Sequence, residues 1–136
     1  MPQPTYEFLG YNVTEIKYIN EHKDNTFIKI SIPKDYYIEK LKQYRLFIKL
    51  STDFSNEESY FVFLASFFIN DEKWFKTLND SEKKSLFFSI VFPFIREKVL
   101  SITADSNPGL LIPTIDLQNL DFNKEIRLIR GTTPDE

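Results

Sequence analysis

Residues 6–20 are rich in Tyr, Val and Ile, and their apolar and polar positions alternate as a long half-buried strand requires. The alternation slips between Val13 and Ile16, so a β-bulge is expected there. The polar run 21–25 reads as a turn. Thr26, Ile28, Ile30 and Ile32 then share one face of a short strand, which Pro33 is expected to end because it cannot donate to a ladder. Residues 34–42 mix two Tyr with several charges and no clear period, and read as a loop with one helical turn. Next, Leu46, Ile48 and Leu50 alternate with Phe47, Lys49 and Ser51 in a half-buried strand, residues 53–59 form a polar turn, and residues 60–69 are apolar on both faces. Two strands joined by a short polar turn make a hairpin. The second belongs inside the sheet, because an apolar strand at an edge invites aggregation.

After Asn70 the period changes. Asn79, Asp80, Ser81 and Glu82 supply a cap and acids for the positive end of a helix dipole, and the helix is expected over residues 81–102. Phe87, Ile90, Val91, Phe94, Ile95 and Val99 lie along one broad face, with Leu86, Phe88 and Phe92 elsewhere around the cylinder. A helix apolar nearly all round must be buried on more than one side. A single sheet covers one side, so the other is expected to meet another subunit. Pro93 is expected to kink or restart the helix. Residues 104–113 read as a connecting loop, and a last helix is expected over 115–130, ended by Gly131. Strands followed by helices give the α+β class: a four-stranded antiparallel sheet with two helices packed on one face. One domain spans 1–136, with its core over about 5–130 and a frayed tail at 131–136.

Composition narrows the chemistry. The 136 residues carry 17 basic and 20 acidic side chains, a formal net charge of −3, so the chain is not a general nucleic-acid binder. Its cations are scattered, and the aromatic signature of RNA-recognition sheets is missing; no nucleic-acid partner is expected. With Cys 0 there is neither a disulfide framework nor a thiolate site, which suits an intracellular protein. The lone His22 sits between Glu21 and Lys23 in a turn and reads as a solvated surface residue. Asp53, Asn56, Glu57 and Glu58 lack the Gly and the terminal Glu of a calcium loop. Gly10, Gly109 and Gly131 cannot build a phosphate-cradling loop. No enzyme activity, cofactor or metal is expected. The chain start lacks a basic stretch leading into an apolar run, and the apolar runs 60–69 and 86–95 are each about half a membrane span, so a cytoplasmic protein without membrane insertion is expected.

The unusual entry in the composition is phenylalanine. Of the 14 Phe, eleven fall between Phe47 and Phe94. Biased genome composition could fill a core this way. The concentration in one segment also offers more apolar area than two layers can cover, which points to oligomerisation or an apolar binding groove.

The stretch from Phe92 to Leu120 resembles the C-terminal part of the SecB family of protein-export chaperones. Phe92, Pro93, Phe94, Arg96 and Glu97 stand in the order of that family's helix motif. Pro108, Leu110, Pro113, Ile115, Asp116 and Leu117 match its linker and the start of its last helix, and the upstream strand order agrees, so that the likeness covers about residues 5–122. The resemblance implies a Greek-key sheet and a homo-oligomer, dimer or tetramer, joined through Leu86, Phe88, Ile90, Phe92 and Ile95. It further implies ATP-independent holding of unfolded or secretory polypeptides in an apolar groove. That groove would draw on Phe27, Ile28, Ile30, Phe61, Phe63, Leu111, Ile112, Leu117 and Leu120, each of which could equally be core. The family's partner motor, SecA, binds acids on the outer sheet face. Glu15 is the candidate motor contact here, whereas Ile19 and Leu64 stand where the family has further acids, and Arg127 and Arg130 replace an acidic tail. The implied partners are thus unfolded polypeptides, with SecA or a guarded antitoxin as a second partner. A reading from another class is a structural or adaptor protein of the same fold with one dedicated protein partner.

Overall fold

The computed structural model describes residues 4–17, 27–54, 57–103 and 126–129. Its elements are β1 (Tyr6–Lys17), β2 (Phe27–Ile38), β3 (Gln43–Phe54), β4 (Glu57–Ile69), α1 (Glu72–Thr77), α2 (Asp80–Ile102) and β5 (Ile126–Ile129). The strands run β1-β4-β3-β2-β5 across one sheet, and every pairing is antiparallel. Strands β2, β3 and β4 neighbour each other in sequence order while β1 lies beside β4, which is a Greek-key arrangement. The fold is α+β, with the expected four-stranded antiparallel sheet extended by the short β5.

Side-chain alternation sets the two faces. Tyr44, Leu46, Ile48 and Leu50 of β3 stand opposite Phe67, Ala65, Phe63 and Phe61 of β4, and all eight are buried. The residues between them in sequence are only half-buried, except for Ser51. β1 adds Tyr6, Phe8, Tyr11 and Val13 to the core side, kept in phase by register shifts between Phe8 and Gly10 and between Val13 and Glu15. The second shift is the bulge that the slipped alternation predicts. At the first, Gly10 has φ +126, and a side chain there would meet nothing within 4 Å. Backbone conformation alone, not space, requires glycine.

Three expectations from the sequence need correction. Pro33 does not end β2: the strand continues to Ile38, with a register shift between Ser31 and Lys34. β5 pairs only with Phe27–Ile30, so among the described residues β2 is an outer strand at Pro33, and a bulge there leaves no ladder donor missing. Residues 34–42 therefore hold the second half of β2 and a turn at 39–42, with Lys42 at φ 52. At the chain's other end, Ile126–Ile129 is a strand and not the close of a helix; the free backbone of β2 overrides the local pattern. The remaining residues of the expected last helix, 115–125 and 130, lie outside the described residues, as do the turn 21–25, the loop 104–113 and the tail 131–136.

α1 is an addition. Asp71 caps it, its Oδ1 accepting from the Trp74 N–H at 3.0 Å, and Phe75 goes into the core. α2 begins at the predicted cap: Asn79 Oδ1 accepts from the Glu82 N–H at 2.8 Å and Glu82 Oε1 accepts from the Asn79 N–H at 3.0 Å. The helix runs on through the exposed Pro93 to Ile102, one segment and not two. Its buried residues are Phe87, Phe88, Val91, Phe92, Ile95 and Val99, an arc of roughly 140° at 3.6 residues per turn. Phe88, Phe92 and Ile95, expected between subunits, are thus covered within a single chain, and Leu86 and Ile90 pack partly buried against the same core. Both described helices lie on one face of the sheet.

Phe87 is where the layers meet. Its ring centroid lies 4.7 Å from that of Phe67, 4.9 Å from Tyr44, 5.4 Å from Tyr6, 6.1 Å from Phe75 and 6.4 Å from Trp74. Beside it the Tyr44 hydroxyl donates to Asp35 Oδ2 at 2.8 Å. Burial first, then this hydrogen bond and the Asp35 and Asp80 charges, push the Tyr44 phenol far above its ordinary range.

Phe87→Ala is expected to lower unfolding free energy by about 3–5 kcal/mol in urea titrations, the range for emptying a buried aromatic site. Tyr44 stays neutral in the fold but ionises near pH 10 when unfolded, so its contribution is intact below that pH and is lost as pH rises above it. Tyr44→Phe should cost about 1 kcal/mol at neutral pH and flatten the alkaline loss of stability. Parallel wild-type and variant slopes above pH 10 would contradict this.

Candidate functional site

The sheet is wider than the helix layer that covers it. α2 crosses β3 and β4, and β1 extends beyond as an outer strand paired on one side with β4. Between β1 and the C-terminal half of α2 lies an open cleft of about 590 Å³, lined by Tyr11, Asn12, Val13 and Ile16 on one side and Lys98 and Ile102 on the other. Tyr11, Val13 and Ile16 share the core-side face of β1 because the second bulge restores their phase. The far end of that row is open to solvent: Ile16, opposite the buried Phe61 of β4, is 47% exposed. At the other end of the row Phe94 is 44% exposed, with its ring 5.4 Å from Phe8 and 6.1 Å from Tyr11. Lys98 is the single charged group in the lining.

β1 has twelve residues, roughly 40 Å of extended chain. Among the described residues, no strand pairs with its outer edge. The bulges divide that edge into three short regular runs, Tyr6–Phe8, Gly10–Val13 and Glu15–Lys17. An edge interrupted in this way resists long, indiscriminate pairing. A segment docking here would make a few main-chain hydrogen bonds and draw most of its binding energy from apolar contacts in the cleft.

The expected groove residues lie elsewhere. Ile30, Phe61 and Phe63 are fully buried and hold the layers together without lining an opening. Phe27 and Ile28 belong to β2, paired with Ile129 and Leu128 of β5, and their side chains lie outside the described residues. Leu111, Ile112, Leu117 and Leu120 also lie outside them. Glu15, the candidate motor contact, is on the outer sheet face, where its Oε1 accepts from the Tyr60 hydroxyl at 2.9 Å. The sequence signal for the cleft was Ile16, an apolar residue at the charged end of β1, together with Phe94 and Leu100, exposed apolar residues on the helix. Sequence periodicity puts Phe94 on the broad apolar face of the helix and uses Ile16 only to mark the bulge, because a pattern cannot tell a covered flank from an open one.

Among the described residues, no cluster of three or more His, Cys, Asp or Glu could hold a metal ion. No described helix is long and apolar enough to cross a membrane.

No family model and no curated protein matches the chain. Among solved structures it is similar to a protein of unknown function from Streptococcus agalactiae, at 12% sequence identity and a TM-score of 0.30, over 82% of this chain and 94% of that one.

Proposed function

We propose that this chain is a SecB-like, ATP-independent holding chaperone of the cytoplasm, which binds extended segments of unfolded polypeptides at the β1 edge and the cleft beside it. One observation carries the reading: a strand edge without a described partner runs along an open cleft where Tyr11, Val13, Ile16 and Ile102 are lined up with Asn12 and Lys98. Main-chain pairing tolerates any sequence, and non-directional apolar contact asks only that the segment offer hydrophobic side chains. Both suit clients that share no motif. The Greek-key sheet followed by a long helix is the arrangement that the resemblance implies, and it supports the same reading.

A second reading is an adaptor of the same fold with one dedicated protein partner, an antitoxin for example. It is favoured by the modest size of the cleft and by the full burial of Ile30, Phe61 and Phe63, which removes apolar surface a general chaperone would use. In either case a homo-oligomer is compatible with the exposed Phe94 and Leu100.

The test is light scattering from a chemically unfolded client diluted into buffer, with mass in solution measured alongside. Without nucleotide, the protein should slow client aggregation. Ile16→Lys together with Phe94→Lys should remove most of that effect and leave the melting temperature within a few degrees, since both side chains are exposed. A monomer that leaves aggregation unchanged would sink the chaperone reading. A stable oligomer without holding activity would favour the adaptor.

A further inference from the structure

The sheet face turned away from α1 and α2 has a composition that neither the fold nor the cleft explains. In register across β2, β3 and β4, Lys34 stands beside Phe47 and Phe47 opposite Leu64; Lys49 stands opposite Val62, and Arg45 between Tyr36 and Ser66. All of these side chains except the exposed Lys34 are half-buried. Lys34 Nζ sits 5.4 Å from the centre of the Tyr36 ring and Lys49 Nζ 5.1 Å from that of Tyr60, and among the described residues neither has an acidic partner. Arg45 donates from Nη2 to Gln43 Oε1 at 3.0 Å, while its Nε is buried without a partner. Among the described side chains, no acid of β2, β3 or β4 faces this side; Asp35 points to the other face, toward Tyr44. The acids of the face, Glu7 and Glu15, lie on β1, and Glu15 already accepts from Tyr60. A chain of net charge −3 thus sets Lys34, Arg45 and Lys49 around an apolar stripe, with Lys29 on β2 and Lys17 on β1 further along the same face.

We propose that this face docks an acidic amphipathic helix of a partner protein. An antiparallel sheet can leave one face to water, but this one carries Phe47, Val62, Leu64 and Phe68 among its cations, and no described helix covers it. Val62, Leu64, Ser66 and Phe68 lie on one face of β4 at two-residue steps of about 6.8 Å, an apolar row broken once by Ser66, and that step is close to the roughly 6 Å between residues four apart on a helix. A helix laid along β4 would set its apolar row on that stripe, and acids on its β3-side flank would reach Lys34, Arg45 and Lys49. Glu7 and Glu15 would repel acids on the opposite flank, which fixes the orientation. Single-stranded nucleic acid fits less well: Tyr36, Phe47 and Phe68 offer rings, but the aliphatic Val62 and Leu64 interrupt them as a stacking platform, and Glu7 and Glu15 flank the stripe on β1. The proposal does not rest on the chaperone reading, because it uses none of the cleft residues.

The probe is a fluorescein-labelled model helix with Leu on one face and Glu on one flank, titrated against the whole chain by anisotropy, with methyl resonances recorded in parallel. Binding should shift Val62 and Leu64 methyls, leave Val13 and Ile102 unmoved, and weaken with added salt. Lys34→Glu with Lys49→Glu should reduce affinity by about tenfold or more. Lys34→Gln with Lys49→Gln should give a smaller loss, and serves as the readout should the charge reversal unfold the chain. The idea is overturned by equal binding of the same helix with Lys in place of Glu, by shifts confined to the cleft, by binding of oligothymidine but not the peptide, or by no binding of either.

Discussion

The Phe87 ring decides where the helix layer sits. It touches rings from β1, β3, β4 and α1, so the position of α2 over the sheet is set by a single close-packed aromatic cluster. Aromatic pairs at these separations each add about 0.5–1.5 kcal/mol beyond area burial, and their geometry resists sliding. With Phe87 seated between Tyr44 and Phe67, the helix must lie across β3 and β4. It covers β1 only over Tyr6–Tyr11, through Phe87 and Phe94, and the cleft opens where that cover ends.

The same constraint separates the two sheet faces chemically. Toward α2, the rows of β3 and β4 are apolar and closed to solvent. On the far side, the intervening residues are half-buried and include the cations Arg45 and Lys49, with the exposed Lys34 beside them on β2. Charge on that side costs little, because long side chains can lie along apolar neighbours and keep their heads hydrated. Lys34 and Lys49 do this over tyrosine rings. Within the described residues, then, apolar surface is left uncovered in two chemically different settings, one with a single cation at its rim and one threaded with several.

Much of the sheet was legible because period two survives local noise. The β1 bulge, the β3–β4 hairpin, the interior place of β4 and the cap at Asn79 all follow from patterns spanning only a few residues. Elements set by distant partners were not legible. Pro33 terminates a strand in isolation, yet it is tolerated because β5 pairs with β2 only before it, a fact about residues nearly a hundred positions away. Ile126–Ile129 resembles the end of an apolar helix until the open edge of β2 is known. α1 is a single cap-and-turn unit too short to show a period. The candidate site failed for a related reason: Ile30, Phe61 and Phe63 are just as apolar as Ile16 and Phe94, and only packing tells which are covered.

The phenylalanine excess is therefore not one quantity. Phe61, Phe63, Phe67, Phe75, Phe87, Phe88 and Phe92 are consumed by the core, which accounts for most of the crowded segment without another subunit. Of the others in that segment whose side chains are described, Phe94 lies exposed beside the cleft and Phe47 and Phe68 half-buried on the outer face. Apolar contact is non-directional and discriminates weakly among partners, whereas charges arranged around an apolar stripe reject the wrong partner by leaving ions unpaired. A cleft with one lysine at its rim is thus suited to tolerance, and a face with Lys34, Arg45 and Lys49 in register to selectivity. On the two proposals, tolerance and selectivity would sit on different surfaces of one chain and could be removed independently.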